Sequence, residues 1–203
     1  MYQEVSKQLL DFLAHSPTAF QAVDNMRTIL KDHDFEELTE GSAWSLTPGH
    51  NYFVTRNNSS IIAFKLGRDL SQYSFNIATA HSDSPSYKLK ENYELEVVDH
   101  HYMQLNTEGY GGMIDSSWFD RPLSVAGRVL VRSGDEIVTR LVNIDRDLLM
   151  IPNVAIHMNR QVNDGYKWNP AVDMLPLMGG KDSRGKLKAL LEDAAEGKIL
   201  GHD

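Results

Sequence analysis

The chain has 203 residues, of which 41% are hydrophobic and 24% charged, with a net charge of −8 at pH 7 and no cysteine. Those values fit one large folded domain or two modest ones, and they exclude a disordered chain, disulfides, thiolate metal sites and a cysteine nucleophile. An acidic surface repels phosphate backbones, so no nucleic-acid partner is expected. Tyr2 to Leu13 mixes charged and apolar residues, unlike a signal peptide, and no apolar run approaches the ~20 residues of a membrane span. A cytoplasmic protein without a membrane partner is the expectation.

In chain order, Val5, Leu9, Leu10, Phe12 and Leu13 recur at helical spacing and predict an amphipathic helix over 3–14. Ser16-Pro17 predicts a second helix, with serine as N-cap and proline in the first turn; Phe20, Val23, Met26 and Leu30 line its buried face. Tyr52-Phe53-Val54 and Ser60 to Phe64, separated by Arg56-Asn57-Asn58-Ser59, predict a hairpin. Phe75 to Ala80 is small and apolar throughout and predicts a strand covered on both faces.

Beyond Ser86 the texture is strand-rich. Strands are predicted at Tyr87–Lys90, Glu94–Val98, Leu123–Val131 and Glu136–Val142, with a turn at Ser133-Gly134-Asp135. Gly109 to Gly112 reads as a glycine-rich loop, used for binding or for packing. Leu187, Leu190, Leu191 and Ala194 mark a last helix. The change at Pro85-Ser86 divides the chain into 1–85, with helices and strands, and 86–203, mostly antiparallel strands.

The candidate site lies in Ile77-Ala78-Thr79-Ala80-His81-Ser82-Asp83-Ser84-Pro85. In an extended chain residues i and i+2 face the same side, so His81 and Asp83 converge just past the predicted strand. Ligand crevices in α/β sheets lie at such carboxyl ends. A neutral imidazole nitrogen binds zinc, and a carboxylate on the other ring nitrogen fixes the tautomer. The competing reading is a polar strand end followed by a turn. His157, among Val154, Ala155, Ile156 and Met158, is a second candidate or else a core histidine bonded to a carbonyl. His100-His101 cannot easily share one ion, since neighbours on a strand face opposite ways. A phosphate loop at Met178 to Ser183 is rejected, because the required earlier glycine is Leu175.

Ala80-His81-Ser82-Asp83-Ser84-Pro85, Tyr110-Gly111-Gly112, Trp118 to Leu123, Ala126-Gly127-Arg128-Val129, Ile151-Pro152 and Ala155 to Arg160 together resemble, in order, the aspartyl aminopeptidase family of di-zinc metallopeptidases. The resemblance implies the first part of a mixed-sheet α/β metallopeptidase domain in 1–85, followed by an inserted β-rich dimerisation or lid domain in 86–203. It implies a peptide substrate with an acidic N-terminal residue, two zinc ions in a complete site, and assembly into a homo-oligomer. In its terms His81 is a metal ligand, Asp83 a catalytic residue supporting the metal site, and His157 a catalytic residue or ligand that reaches a neighbouring subunit's site. The family continues well beyond the segment matching Ile199 to Asp203, so this chain is expected to be a front portion, inactive alone, that associates with itself or with a missing C-terminal half. Two other readings compete: a non-enzymatic β-rich oligomerisation or binding module, and a different metal site built from His81, Asp83, His157 and Asp173.

Overall fold

The computed structural model describes residues 2–71 and 74–203. The chain divides between Ser84 and Pro85 into two compact units.

The first unit holds α1 (Tyr2–Ala14), α2 (Ala19–Asp32) and a three-stranded sheet of order β1-β2-β3, with β1 (Phe35–Leu38), β2 (Asn51–Arg56) and β3 (Ser60–Lys65). The predicted hairpin is present: β2 and β3 pair antiparallel in unbroken register, and Asn57 and Asn58 both adopt the left-handed φ that a tight turn needs. β1 runs parallel to β2. On β2, the middle strand, the adjacent residues Tyr52 and Phe53 point to opposite faces and are both buried, so the strand is covered on both faces there. From α2, Ala22 and Val23 are buried as well. Arg27 ties α2 to β1 through two bonds to the Glu37 carboxylate, each of 3.0 Å, and Lys31 adds a third contact at 2.8 Å.

Two expectations for this unit are corrected. The N-cap of α2 is Thr18, not Ser16; its hydroxyl accepts from the Phe20 N–H at 3.2 Å. Ser16 is otherwise engaged, because Asn25 reaches back to its hydroxyl (3.0 Å) and to the His15 carbonyl (2.8 Å). Phe75 to Ala80 is not a strand. It belongs to no ladder, and Phe75 and Ile77 are 79% and 80% exposed. A strand needs neighbouring strands for its backbone groups, and no ladder among the described residues includes this segment. Helix α1 forms where the spacing predicts it, yet buries none of its residues.

The second unit is built from two antiparallel sheets. One has the order β4-β5-β8, from β4 (Ser86–Val97), β5 (Tyr102–Tyr110) and β8 (Leu177–Gly180). The other has the order β7-β6-β9, from β6 (Ala126–Ser133), β7 (Glu136–Asn143) and β9 (Ile199–His202). β4 unites two predicted strands across an irregularity between Leu89 and Glu94. β5 runs through Gly109 and Tyr110, so the expected glycine loop starts only at Gly111, whose φ is positive. The strand predicted from Leu123 begins at Ala126 instead; Leu123 makes a separate bridge to Leu149. A short helix α3 (Pro170–Asp173) precedes β8, and α4 (Lys186–Ala194) presses Leu187 and Leu191 into the main core. That core gathers Leu105, Val129, Val131, Val142, Ile144 and Leu149 around them. A second cluster of Phe119, Ile151 and Met174 packs beside Trp118 and Trp168. No helix among the described residues is long and apolar enough to cross a membrane.

Candidate metal-ligand site

His81 lies in the first unit, in the extended segment that follows residues 74–80. Its side chain is 82% exposed. The ring's Nδ1 lies 2.8 Å from the Asp83 carbonyl oxygen and 3.2 Å from the carboxylate oxygen Oδ1 of the same residue. Two acceptors on one ring nitrogen require that nitrogen to carry the proton. In the neutral ring the Nδ1–H donates and Nε2 keeps its lone pair, the form in which imidazole ligates a metal. The segment is anchored from behind by Ser82, whose hydroxyl donates to the Ser59 carbonyl at 3.1 Å, next to the β2–β3 turn. His81 is therefore neither sealed in packing nor swung away from its aspartate.

The arrangement fits one zinc ligand with its orienting group. A catalytic zinc takes ~3 protein ligands plus a water. Among the described residues no group of three or more His, Asp or Glu side chains could hold a metal ion. Among the described residues a complete metal centre is therefore absent.

The other candidates lie in the second unit. His157, in the second unit, is exposed on a turn closed by the Met158 N–H donating to the Ala155 carbonyl at 2.8 Å. Its neighbours Val154, Ile156 and Met158 are exposed too, so the core-histidine reading is corrected. Asp173 is occupied as a cap, its carboxylate accepting from the Asn169 N–H at 2.7 Å. His100 Nδ1 is 2.5 Å from Glu96 and not turned toward His101, whose carbonyl accepts from Lys181.

Sequence reasoning missed one contact at this site, the Asp83 carbonyl as the closer acceptor. A turn of two residues brings carbonyl and carboxylate to the same ring nitrogen, and the i, i+2 spacing alone carried that signal.

Comparison with known proteins gives one answer throughout. The model of the aminopeptidase I zinc metalloprotease (M18) family matches residues 12–199. A probable M18 family aminopeptidase 2 from Clostridium acetobutylicum is 48% identical over 179 residues, covering 87% of this chain and 41% of that protein. An aspartyl aminopeptidase from Dictyostelium discoideum is 41% identical over 183 residues, covering 89% of this chain and 37% of the relative. Among solved structures, the cryo-EM structure of the Ape4 and Nbr1 complex matches with a TM-score of 0.89 at 36% identity, covering 96% of this chain and 42% of that one. An Ape1 dodecamer from yeast matches with a TM-score of 0.76; at 21% identity it speaks to the fold alone. The chain spans about two fifths of the length of the curated relatives. Its sequence, its fold and the match over residues 12–199 agree: this chain belongs to the M18 family of aminopeptidases.

Proposed function

We propose that this chain is the front portion of a zinc-dependent aminopeptidase that removes acidic N-terminal residues from peptides. The observation that supports it most directly is the His81–Asp83 pair: an exposed imidazole whose Nδ1–H is held, and whose Nε2 is bare, within an M18 chain. In this reading His81 Nε2 is one metal ligand. Asp83 fixes the ring's tautomer and raises the basicity of Nε2. Bound zinc would supply polarisation of the scissile carbonyl and a lowered pKa for water. His157, on its exposed turn, serves as a hydrogen-bond donor to a substrate oxygen in an assembled oligomer. The reading assigns residues 1–85 to the catalytic domain and 86–203 to an inserted β-rich domain, and it makes the working form a homo-oligomer.

The reading also says the 203-residue chain does not hydrolyse peptides alone, because one ligand does not hold a catalytic zinc. In a polypeptide of the relatives' length, zinc-dependent release of N-terminal aspartate is the expected activity. There His81→Ala abolishes turnover, and Asp83→Ala lowers it by about 10–100-fold through loss of ligand orientation. Undiminished turnover by His81→Ala would overturn the assignment. Chelator-sensitive release of aspartate by the 203-residue chain alone would overturn the claim of incompleteness. A non-enzymatic module, by contrast, would ignore both substitutions.

A further inference from the structure

Residues 74–84 lie in no ladder, so no row of sheet hydrogen bonds fastens the backbone that carries His81. The bond from the His81 Nδ1–H to the Asp83 carbonyl spans two residues. It sets the ring relative to its own turn, and it moves wherever that turn moves. A working ligand must be held within ~0.5 Å of its productive place. That calls for a link from the turn to a rigid body.

Ser82 makes such a link. Adjacent residues of an extended chain face opposite ways, so Ser82 turns toward the hairpin where His81 turns to solvent. Ser82 is half-buried, whereas the His81 side chain is exposed. The Ser82 hydroxyl donates to the Ser59 carbonyl at 3.1 Å, a bond that spans 23 residues. The acceptor is itself fixed. Ser59 closes the β2–β3 turn, its N–H donating to the Arg56 carbonyl at 3.2 Å, and the Ser60 hydroxyl donates to the same carbonyl at 3.3 Å. The strand that leads into this turn carries the buried Tyr52 and Phe53. A continuous path thus runs from the packed hairpin, through the Ser59 carbonyl and the Ser82 hydroxyl, to the main chain of His81.

We propose that Ser82 is a positioning residue for metal binding, its bond to Ser59 holding the His81 turn on the hairpin so that Nε2 stays aimed at one point. This rests on the reading of His81 as a metal ligand. Two neighbours then divide the work: Asp83 places the proton on the ring, and Ser82 places the turn on the body. The role needs a hydroxyl at position 82, which threonine keeps and alanine lacks. It needs only the main chain at position 59, so Ser59→Ala keeps the acceptor.

Backbone amide NMR relaxation of the 203-residue chain tests the tether without any metal. Order parameters of about 0.85 are expected at His81 to Asp83 in wild type, falling below about 0.6 in Ser82→Ala. Ser82→Thr and Ser59→Ala are expected to keep the wild-type values, and all three variants to keep the thermal melt. In a polypeptide of the relatives' length, chelator competition reads the zinc affinity. Ser82→Ala is expected to weaken it by about 10-fold, and Ser82→Thr to restore it. Wild-type order parameters in Ser82→Ala overturn the tether. A loosened turn that still holds zinc as tightly as wild type overturns the positioning role and leaves the His81 reading standing. Full zinc affinity in His81→Ala overturns that reading, and the proposal with it.

Discussion

Two apolar runs of similar length meet opposite fates in this protein. Gly127 to Val131, in β6, lies between β7 and β9, and its Val129 and Val131 are almost wholly buried. Phe75 to Ala80 is equally apolar, yet it lies in no sheet and its large side chains face solvent. Composition states what a segment requires, namely neighbours on its edges and cover on its faces. It does not state whether the same stretch of chain supplies them. Helix α1 repeats the lesson, with the apolar spacing of a packed helix and no buried residue. The second unit closes a core of its own, although Ile114, Met158 and Val172 stay exposed; the first buries residues of β2 and α2 but none of α1 or 74–80.

This contrast can be broken by substitution. The largest effect is expected in the second unit's core. Leu105→Ala or Leu187→Ala, both fully buried, should cost about 2–5 kcal/mol in urea unfolding. Ile77→Ala should stay within about 0.5 kcal/mol, since an exposed side chain loses little. A cost for Ile77→Ala comparable to that of Leu105→Ala would show that the segment is covered after all.

Within the first unit the Arg27–Glu37 pair should matter next. Burial by itself would raise the Glu37 carboxyl, but hydrogen bonds and charge from Arg27 and Lys31 outweigh it and hold the group below its ordinary value of 4.5. A carboxyl lowered on folding stabilises fully above its unfolded value. That contribution is lost as pH falls from there through the folded value. Arg27→Met should therefore cost about 1 kcal/mol at neutral pH, and the difference from wild type should shrink as pH falls below 4.5. An acid limb of stability identical in both proteins would contradict the role given to the pair.

Thr18→Ala should cost roughly 1 kcal/mol by removing the cap of α2, whereas Ser16→Ala should cost less, since Ser16 is not the cap. Equal costs would reverse the cap assignment. The smallest effect is expected in α1, where Leu9→Gln and Leu13→Gln should each change stability by no more than about 0.5 kcal/mol in this chain.

Much of the secondary structure was legible because it rests on local patterns. The β2–β3 hairpin follows from two apolar runs flanking Asn57-Asn58, and α4 follows from Leu187, Leu190 and Leu191. β5 escaped notice although its signal was present: Met103, Leu105 and Thr107 alternate inward, but Gln104, Asn106 and the glycines that follow obscured the run. β8 and β9 are four-residue strands containing glycine, and they form because β5 and β6 offer them an edge. No local pattern records such an offer. The cap of α2 was misplaced for a similar reason, since the claim of Asn25 on Ser16 spans nine residues. At the candidate site, the closeness of His81 and Asp83 was legible from their spacing, because two residues of extended chain fix it. The roles of His157 and of any further ligands were not, because those depend on groups distant in sequence. They come from the family resemblance and stand as proposals.

The central claim is that His81 offers a bare Nε2 while Asp83 holds the proton on Nδ1. Long-range proton–nitrogen NMR of the imidazole reads this directly in the 203-residue chain near pH 8. The account predicts the Nδ1–H form for His81, with that preference weakened in Asp83→Ala. An Nε2–H form of His81, unchanged by Asp83→Ala, would contradict it.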